Sequence, residues 1–377
     1  MRKKLYWRGA LVRTRTCSCF VESCTRSNRL LSQVFHAEPL HTSAKHAVDG
    51  RDDMSESARP AGAVAAGADD IVLPFQTVRS RVSGRLVRLG ETVDLILKRH
   101  DYPDGVSETL GEALALTALI GAGLKFEGRL ILQTKSDGPL DFLVADFATP
   151  GVLRGYASFD KERCEQVASG GERALLGAGH LAMTIDAGAD MDRYQGLVQL
   201  DNSTLTEAAN TYFRQSEQLP TFIRLAVARQ RIGSDRDADS VWRWRAGGIM
   251  LQHVAHEGGK AAEELAAAEE RGSMLGEEDD HWQRVTMLAS TVEDHELVDP
   301  TLSPERLLYR LFHEEGVRVQ EARTLKEYCT CSRERVFGFL KRFGRKELDD
   351  MHEPDGSISV TCEFCSTRYV FDPSELE

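Results

Sequence analysis

The chain has 377 residues and a net charge of −12, with 41% hydrophobic and 28% charged residues. That is an ordinary globular balance, long enough for about two domains of ~100–200 residues. Such acidity argues against sequence-independent binding of nucleic acid or anionic lipid, which depends on basic surface meeting phosphate, so neither partner is expected.

Residues 1–53 differ from the rest, with ten Lys/Arg against five Asp/Glu, leaving −17 on the remainder. The segment 1–69 reads as a disordered extension. Its Arg- and Ser/Thr-rich opening is similar to an organelle transit peptide and lacks the apolar core of a secretory signal. The other reading is a start codon assigned too early, with translation beginning at Met54 in "MSESARPAGAVAAGADD".

Residues 70–255 read as an α+β unit, an N-terminal mixed sheet-and-helix domain. "SETLGEALALTALIGAGLKF" predicts a helix with Ser107 as its cap and Leu110, Leu114 and Thr117 on one stripe. Its apolar run, Ala113 to Leu124, spans 12 residues, short of the ~20 needed to cross a bilayer. "GRLILQTKSDGPLDFLVADF" predicts a hairpin around Ser-Asp-Gly-Pro. "LRGYASF", "GHLAMTIDA" and "YQGLVQLD" read as short strands, and "STLTEAANTYFRQSEQLP" as a helix capped by Ser203 or Thr204. "TFIRLAVARQRI" and "WRWRAGGIMLQHV" alternate again and close the domain.

Residues 256–322 form an acidic, helical linker. Its first part, through position 300, holds thirteen acids against Lys260, Arg271 and Arg284. The Ala/Glu-rich stretch from Lys260 to Asp280 has little to bury. "DHWQRVTMLASTV" follows as an amphipathic helix with Trp282, Val285 and Leu288 to one side. In "SPERLLYRLFHEEG", Ser303 is a cap, Pro304 suits the first turn, and Leu307, Leu308, Leu311 and Phe312 form a stripe. Helices this short need a surface to dock on. Packing on the neighbouring domain is the plain expectation, and a detachable pair is the sharper one.

Residues 323–377 form a small C-terminal domain. C-x-C at Cys329 and Cys331 is followed, after thirty residues, by C-x-x-C at Cys362 and Cys365. Four thiolates delivered as two close pairs make a closed tetrahedral zinc site with no open position, so hydrolytic metal chemistry is not expected. Three uses remain open from the residues: a structural ribbon, a nucleic-acid or protein contact using "RERVFGFLKRFGRK", and a redox switch. A domain with so few apolar residues needs a staple, and losing the metal would unfold it.

Other signals carry less. "HEEGV" at His313 and "HEGGK" at His256 lack the second histidine of H-E-x-x-H. The glycines of "GGERALLGAG" lack a strand–G-x-G-x-x-G–helix setting. Cys164 stands alone, and Cys17, Cys19 and Cys24 lie in the basic extension.

"CTCSRERV" and "VTCEFCSTRYVF" closely resemble the zinc domain of the heat shock protein 33 family of redox-regulated holdase chaperones. "LKFEGRLILQ", "RYQGLVQL", "YFRQSEQLPT" and "AGGIMLQ" resemble its N-terminal domain, and "LLYRLFHEEGV" its linker; residues 70–377 are covered. The resemblance implies a cytoplasmic, ATP-independent chaperone rather than an enzyme. It implies one zinc on Cys329, Cys331, Cys362 and Cys365 in an inactive reduced form. Oxidation would pair Cys329 with Cys331 and Cys362 with Cys365, release zinc, unfold the domain and undock the linker helices. The active form would be a homodimer holding unfolded client proteins. The alternative is a constitutive zinc-ribbon module for nucleic acid or protein.

Overall fold

The computed structural model describes residues 6–7, 69–167, 170–188, 193–232, 241–253 and 275–376. The extension read over 1–69, with its three cysteines, and the linker stretch before position 275 fall almost wholly outside these residues. The exceptions are Asp69 and a two-residue strand, β1 (Tyr6–Trp7).

Two six-stranded sheets are laid over one helix. The first sheet is ordered β11-β2-β3-β10-β9, with β12 also on β2. Its long strands are β2 (Ile71–Thr77), β3 (Ser83–Leu89), β9 (Thr221–Ile232) and β10 (Val241–Gln252). Its short ones are β11 (Val317–Val319) and β12 (Arg323–Thr324). The second is ordered β13-β6-β5-β4-β7-β8. It contains β4 (Arg129–Ser136), β5 (Phe142–Ala148), β6 (Val152–Ser158), β7 (Ala178–Asp186), β8 (Tyr194–Asp201) and the short β13 (Lys326–Glu327). Within these two sheets pairing is antiparallel except that β13 runs parallel to β6.

Between the sheets runs α2 (Asp104–Gly121), preceded by α1 (Glu91–Lys98). The expected stripe on α2 proves too narrow. Val106, Leu110, Ala113, Leu114, Leu116, Leu119 and Ile120 are all buried, because a helix covered on both sides is apolar all round. Ser107 does not cap it. The helix starts at Asp104 behind Pro103, which leaves Ser107 buried inside the first turn. Gly155 of β6 lets α2 approach; a Cβ there would meet Leu114 at 3.1 Å. Other α-helices among the described residues of this region are α3 (Lys161–Val167), α4 (Gly171–Leu176) and α5 (Leu205–Tyr212). Thr204 caps α5 in a reciprocal box with Glu207. The predicted Ser-Asp-Gly-Pro hairpin joins β4 to β5, with Arg129 opposite Ala148.

The outer face of the first sheet is covered by α6 (Leu275–Ser290), α7 (Asp294–Val298) and α8 (Pro304–Phe312). Leu73, Phe75, Leu86, Ile249 and Leu251 meet Val285, Val292, Leu297, Leu307, Leu308, Leu311 and Phe312 in one core. Phe75 and Phe312 stack at 5.7 Å. The linker helices therefore dock on the first domain, as amphipathicity required, and Ser303 caps α8 as expected. Two buried arginines fix them. Arg88 donates to the carbonyls of Glu296 and Leu302, and Arg245 donates to that of Val298 at 2.6 Å.

From there the chain runs along both sheets. β11 and β12 extend β2, and β13 then joins β6. The last segment holds α9 (Arg333–Leu340), α10 (Arg345–Asp349) and the hairpin β14 (Ile358–Cys362) and β15 (Arg368–Phe371), with β1 parallel to β14. It packs on the outer face of the second sheet, where Ile131, Phe142, Val144 and Tyr156 meet its core.

Candidate metal centre

The first cysteine pair leaves β13 and enters α9. Ser332, the residue after Cys331, caps that helix by accepting from the amide of Arg335 at 3.3 Å. The second pair closes the β14–β15 hairpin. Cys362 ends β14, its carbonyl accepts from Ser366 at 2.8 Å, and its amide donates to Thr367 O at 2.9 Å. Ser366 takes the left-handed conformation, φ 57°, that so tight a turn demands.

The two turns bring all four sulfurs within 4.8 Å of one another. Cys329 and Cys362 are 3.7 Å apart, and Cys331 and Cys365 are 3.2 Å apart. Metal–sulfur bonds of about 2.3 Å in a tetrahedron place sulfurs about 3.8 Å apart, so the set fits one cation. It is the one such cluster of His, Cys, Asp or Glu among the described residues. The predicted residues Cys329, Cys331, Cys362 and Cys365 are thus brought together. Buried Cys164 lies elsewhere, in α3.

Without a metal the four thiols perturb one another. Burial raises the Cys331 thiol to about 11. Hydrogen bonding with Cys329 holds Cys362 protonated well above the usual thiol range. The neighbouring Cys329 and Cys362 thiols push Cys365 the other way, toward thiolate. One negative charge is stabilised by its neighbours' protons, and four thiolates together require a cation.

The sulfurs also belong to the core of this small domain. Cys362 is buried with Val336, Leu340, Ile358, Val360, Phe364 and Phe371, and the other three ligands pack against that group. Two phenylalanines of the basic stretch, Phe337 and Phe339, are half-buried and pack against it. Phe337 stacks on Phe371 at 6.1 Å, and Phe339 meets Phe343 edge-on at 5.1 Å.

Sequence reasoning missed the residues that seat the cluster on the first domain. Between the last two cysteines lie Glu363 and Phe364, only 5% and 3% exposed. Arg154 covers the Phe364 ring at 4.3 Å and is itself held by Asp146 at 2.6 Å. His100 donates to Glu363 O at 2.7 Å, and Ser366 donates to Arg99 O at 3.1 Å. Arg99 pairs with Glu327 at 2.6 Å. Nothing local in the sequence marks these partners, which come from positions some two hundred residues upstream.

The arrangement defines a class: a two-sheet unit with a helical cover on one face and, on the other, an appendage whose four cysteines could hold a metal ion. A family profile described as Hsp33 protein matches residues 70–372. A curated 33 kDa chaperonin from Caulobacter vibrioides is 45% identical over 309 residues, covering 81% of this chain and 95% of that one. Another from Nitrosococcus oceani is 37% identical over 303 residues, covering 80% and 91%. The crystal structure of a Thermotoga maritima 33 kDa chaperonin shares the fold, with a TM-score of 0.61 at 23% identity over 81% of this chain and 96% of that one. The chain belongs to the Hsp33 family of chaperones.

Proposed function

We propose that this protein is an ATP-independent holdase in the cytoplasm that oxidation switches on. In the reduced state Cys329, Cys331, Cys362 and Cys365 hold one zinc ion, which staples a domain too small to fold unaided. The observation that carries the reading is that Cys362 is a core residue of the segment it would staple and the other three cysteines pack against that core. Loss of the metal and loss of the core are then one event.

The switching step needs an oxidant of the peroxide class. Each pair, Cys329 with Cys331 and Cys362 with Cys365, gives up two electrons to one peroxide, which takes up two protons and leaves as two waters. The disulfides have no lone anionic sulfur for zinc, so the ion departs. The turn carrying Glu363 and Phe364 loses its shape, the domain leaves the second sheet, and the linker helices follow. Apolar surface then meets unfolding clients, and two copies associate.

The test is light scattering of a heat-unfolding client in the presence of this protein, reduced and zinc-loaded or treated with peroxide at mildly raised temperature. Suppression of aggregation by the oxidised form alone, reversed by a thiol reductant, is expected. Equal behaviour of both forms would leave zinc as a fixed staple and remove the switch.

A further inference from the structure

Two hydroxyl groups, one from the turn before β15 and one from β15 itself, reach the sulfur cluster. Tyr369 Oη lies 3.1 Å from Cys331 Sγ, and Thr367 Oγ1 lies 3.2 Å from Cys365 Sγ. Thr367 closes the turn just before β15 and Tyr369 lies within that strand, so this end of the hairpin carries both groups to the cluster. The sulfurs they meet come from different pairs and lie 3.2 Å apart. Deprotonated sulfur can only accept, so in a metal-bound cluster both hydroxyls must donate. Four thiolates on a divalent cation leave two negative charges over, and donors at the ligands offset them.

We propose that Tyr369 and Thr367 are positioning residues of the metal centre: their hydroxyls hold Cys331 and Cys365 as thiolate ligands and set how readily zinc is released. The inference rests on the reading of the cluster as a metal site. Tyr369 can lose its hydroxyl without losing its ring, which packs against the domain core. Tyr369→Phe therefore isolates the hydrogen bond, and Thr367→Val does the same independently.

The experiment uses the full reduced chain, loaded in turn with cobalt(II) and zinc. In the cobalt form, Tyr369→Phe should shift the thiolate-to-metal charge-transfer band to lower energy, because an unbonded sulfur is easier to ionise. In the zinc form, a competing chromophoric chelator should show affinity weakened about tenfold, at the lower end of the range for loss of such a partner. Thr367→Val should move both readouts the same way, and Thr367→Ser should restore them. Weaker zinc binding with an unshifted cobalt band in both variants would mean a packing role only and would overturn the proposal. So would wild-type values throughout. A wild-type chain with no thiolate–cobalt band would instead sink the metal-centre reading itself.

Discussion

Nε2 of His100 lies 2.7 Å from the main-chain oxygen of Glu363. A carbonyl can only accept, so the ring donates, and the chain just past α1 is tied to the turn between the last two cysteines. Next to that bond, the Phe364 ring is 3% exposed under Arg154. Phe364→Ala should cost about 3–5 kcal/mol, the usual range for emptying an aromatic site, charged largely to docking. Hydrogen exchange would show the 329–376 region and strands β5 and β6, which it covers, opening together. Exchange unchanged in β5 and β6 would mean that the turn does not hold the domain down.

Metal removal should act locally. Chelation of the reduced protein, or Cys362→Ser, should abolish stoichiometric zinc and unfold the segment around α9, β14 and β15. The core around α2 is built from the two sheets and contains no cysteine ligand, so it should survive. Circular dichroism would register a partial loss, and a cooperative collapse of the whole chain would contradict it.

Arg88 is fully buried and donates to the carbonyls of Glu296 and Leu302. Arg88→Met keeps the bulk and strands both acceptors, each at a cost of about 1–3 kcal/mol. The linker helices should loosen without oxidation. Bis-ANS fluorescence of the reduced variant should rise toward that of the oxidised parent. An unchanged signal would show that apolar packing alone keeps them down.

Burial, reinforced by the charge of Glu172, raises the Glu112 carboxyl to about 8 from its ordinary 4.5. The fold favours the neutral acid, so this contribution is complete below about pH 4.5 and drains away as pH rises through 8. Melting temperature should fall between pH 5.5 and 9, and Glu112→Gln should flatten part of that fall. Parallel profiles for parent and variant would rule Glu112 out as the source.

Much of this was legible from spacing alone. β8 and β9 begin and end where alternation placed them, and the caps at Thr204 and Ser303 follow from residue type. The four ligands stood out because sulfur pairs at one- and two-residue gaps have few other uses. Ser107 misled because a good capping residue is also a tolerable buried one when its helix starts a turn earlier behind proline. The Phe364 site could not be read, because Arg154, His100 and Tyr156 reach it through sheet topology rather than through neighbourhood in the chain. The hydroxyls of Thr367 and Tyr369 lie two residues apart, but nothing in that spacing says that a turn and the strand after it aim both at sulfur.

The segment from Val317 to Glu327 runs first along β2 and then along β6, joining the cover on one sheet to the cover on the other. Covers that sit on different sheets need not lift together. A molecule built this way admits a half-armed form, with the metal-bearing cover off and the helical one still down. Return from that form needs only a short segment to refold, whereas return from the fully open form needs both. Reversal would then depend on how far along this single strap the disturbance has travelled.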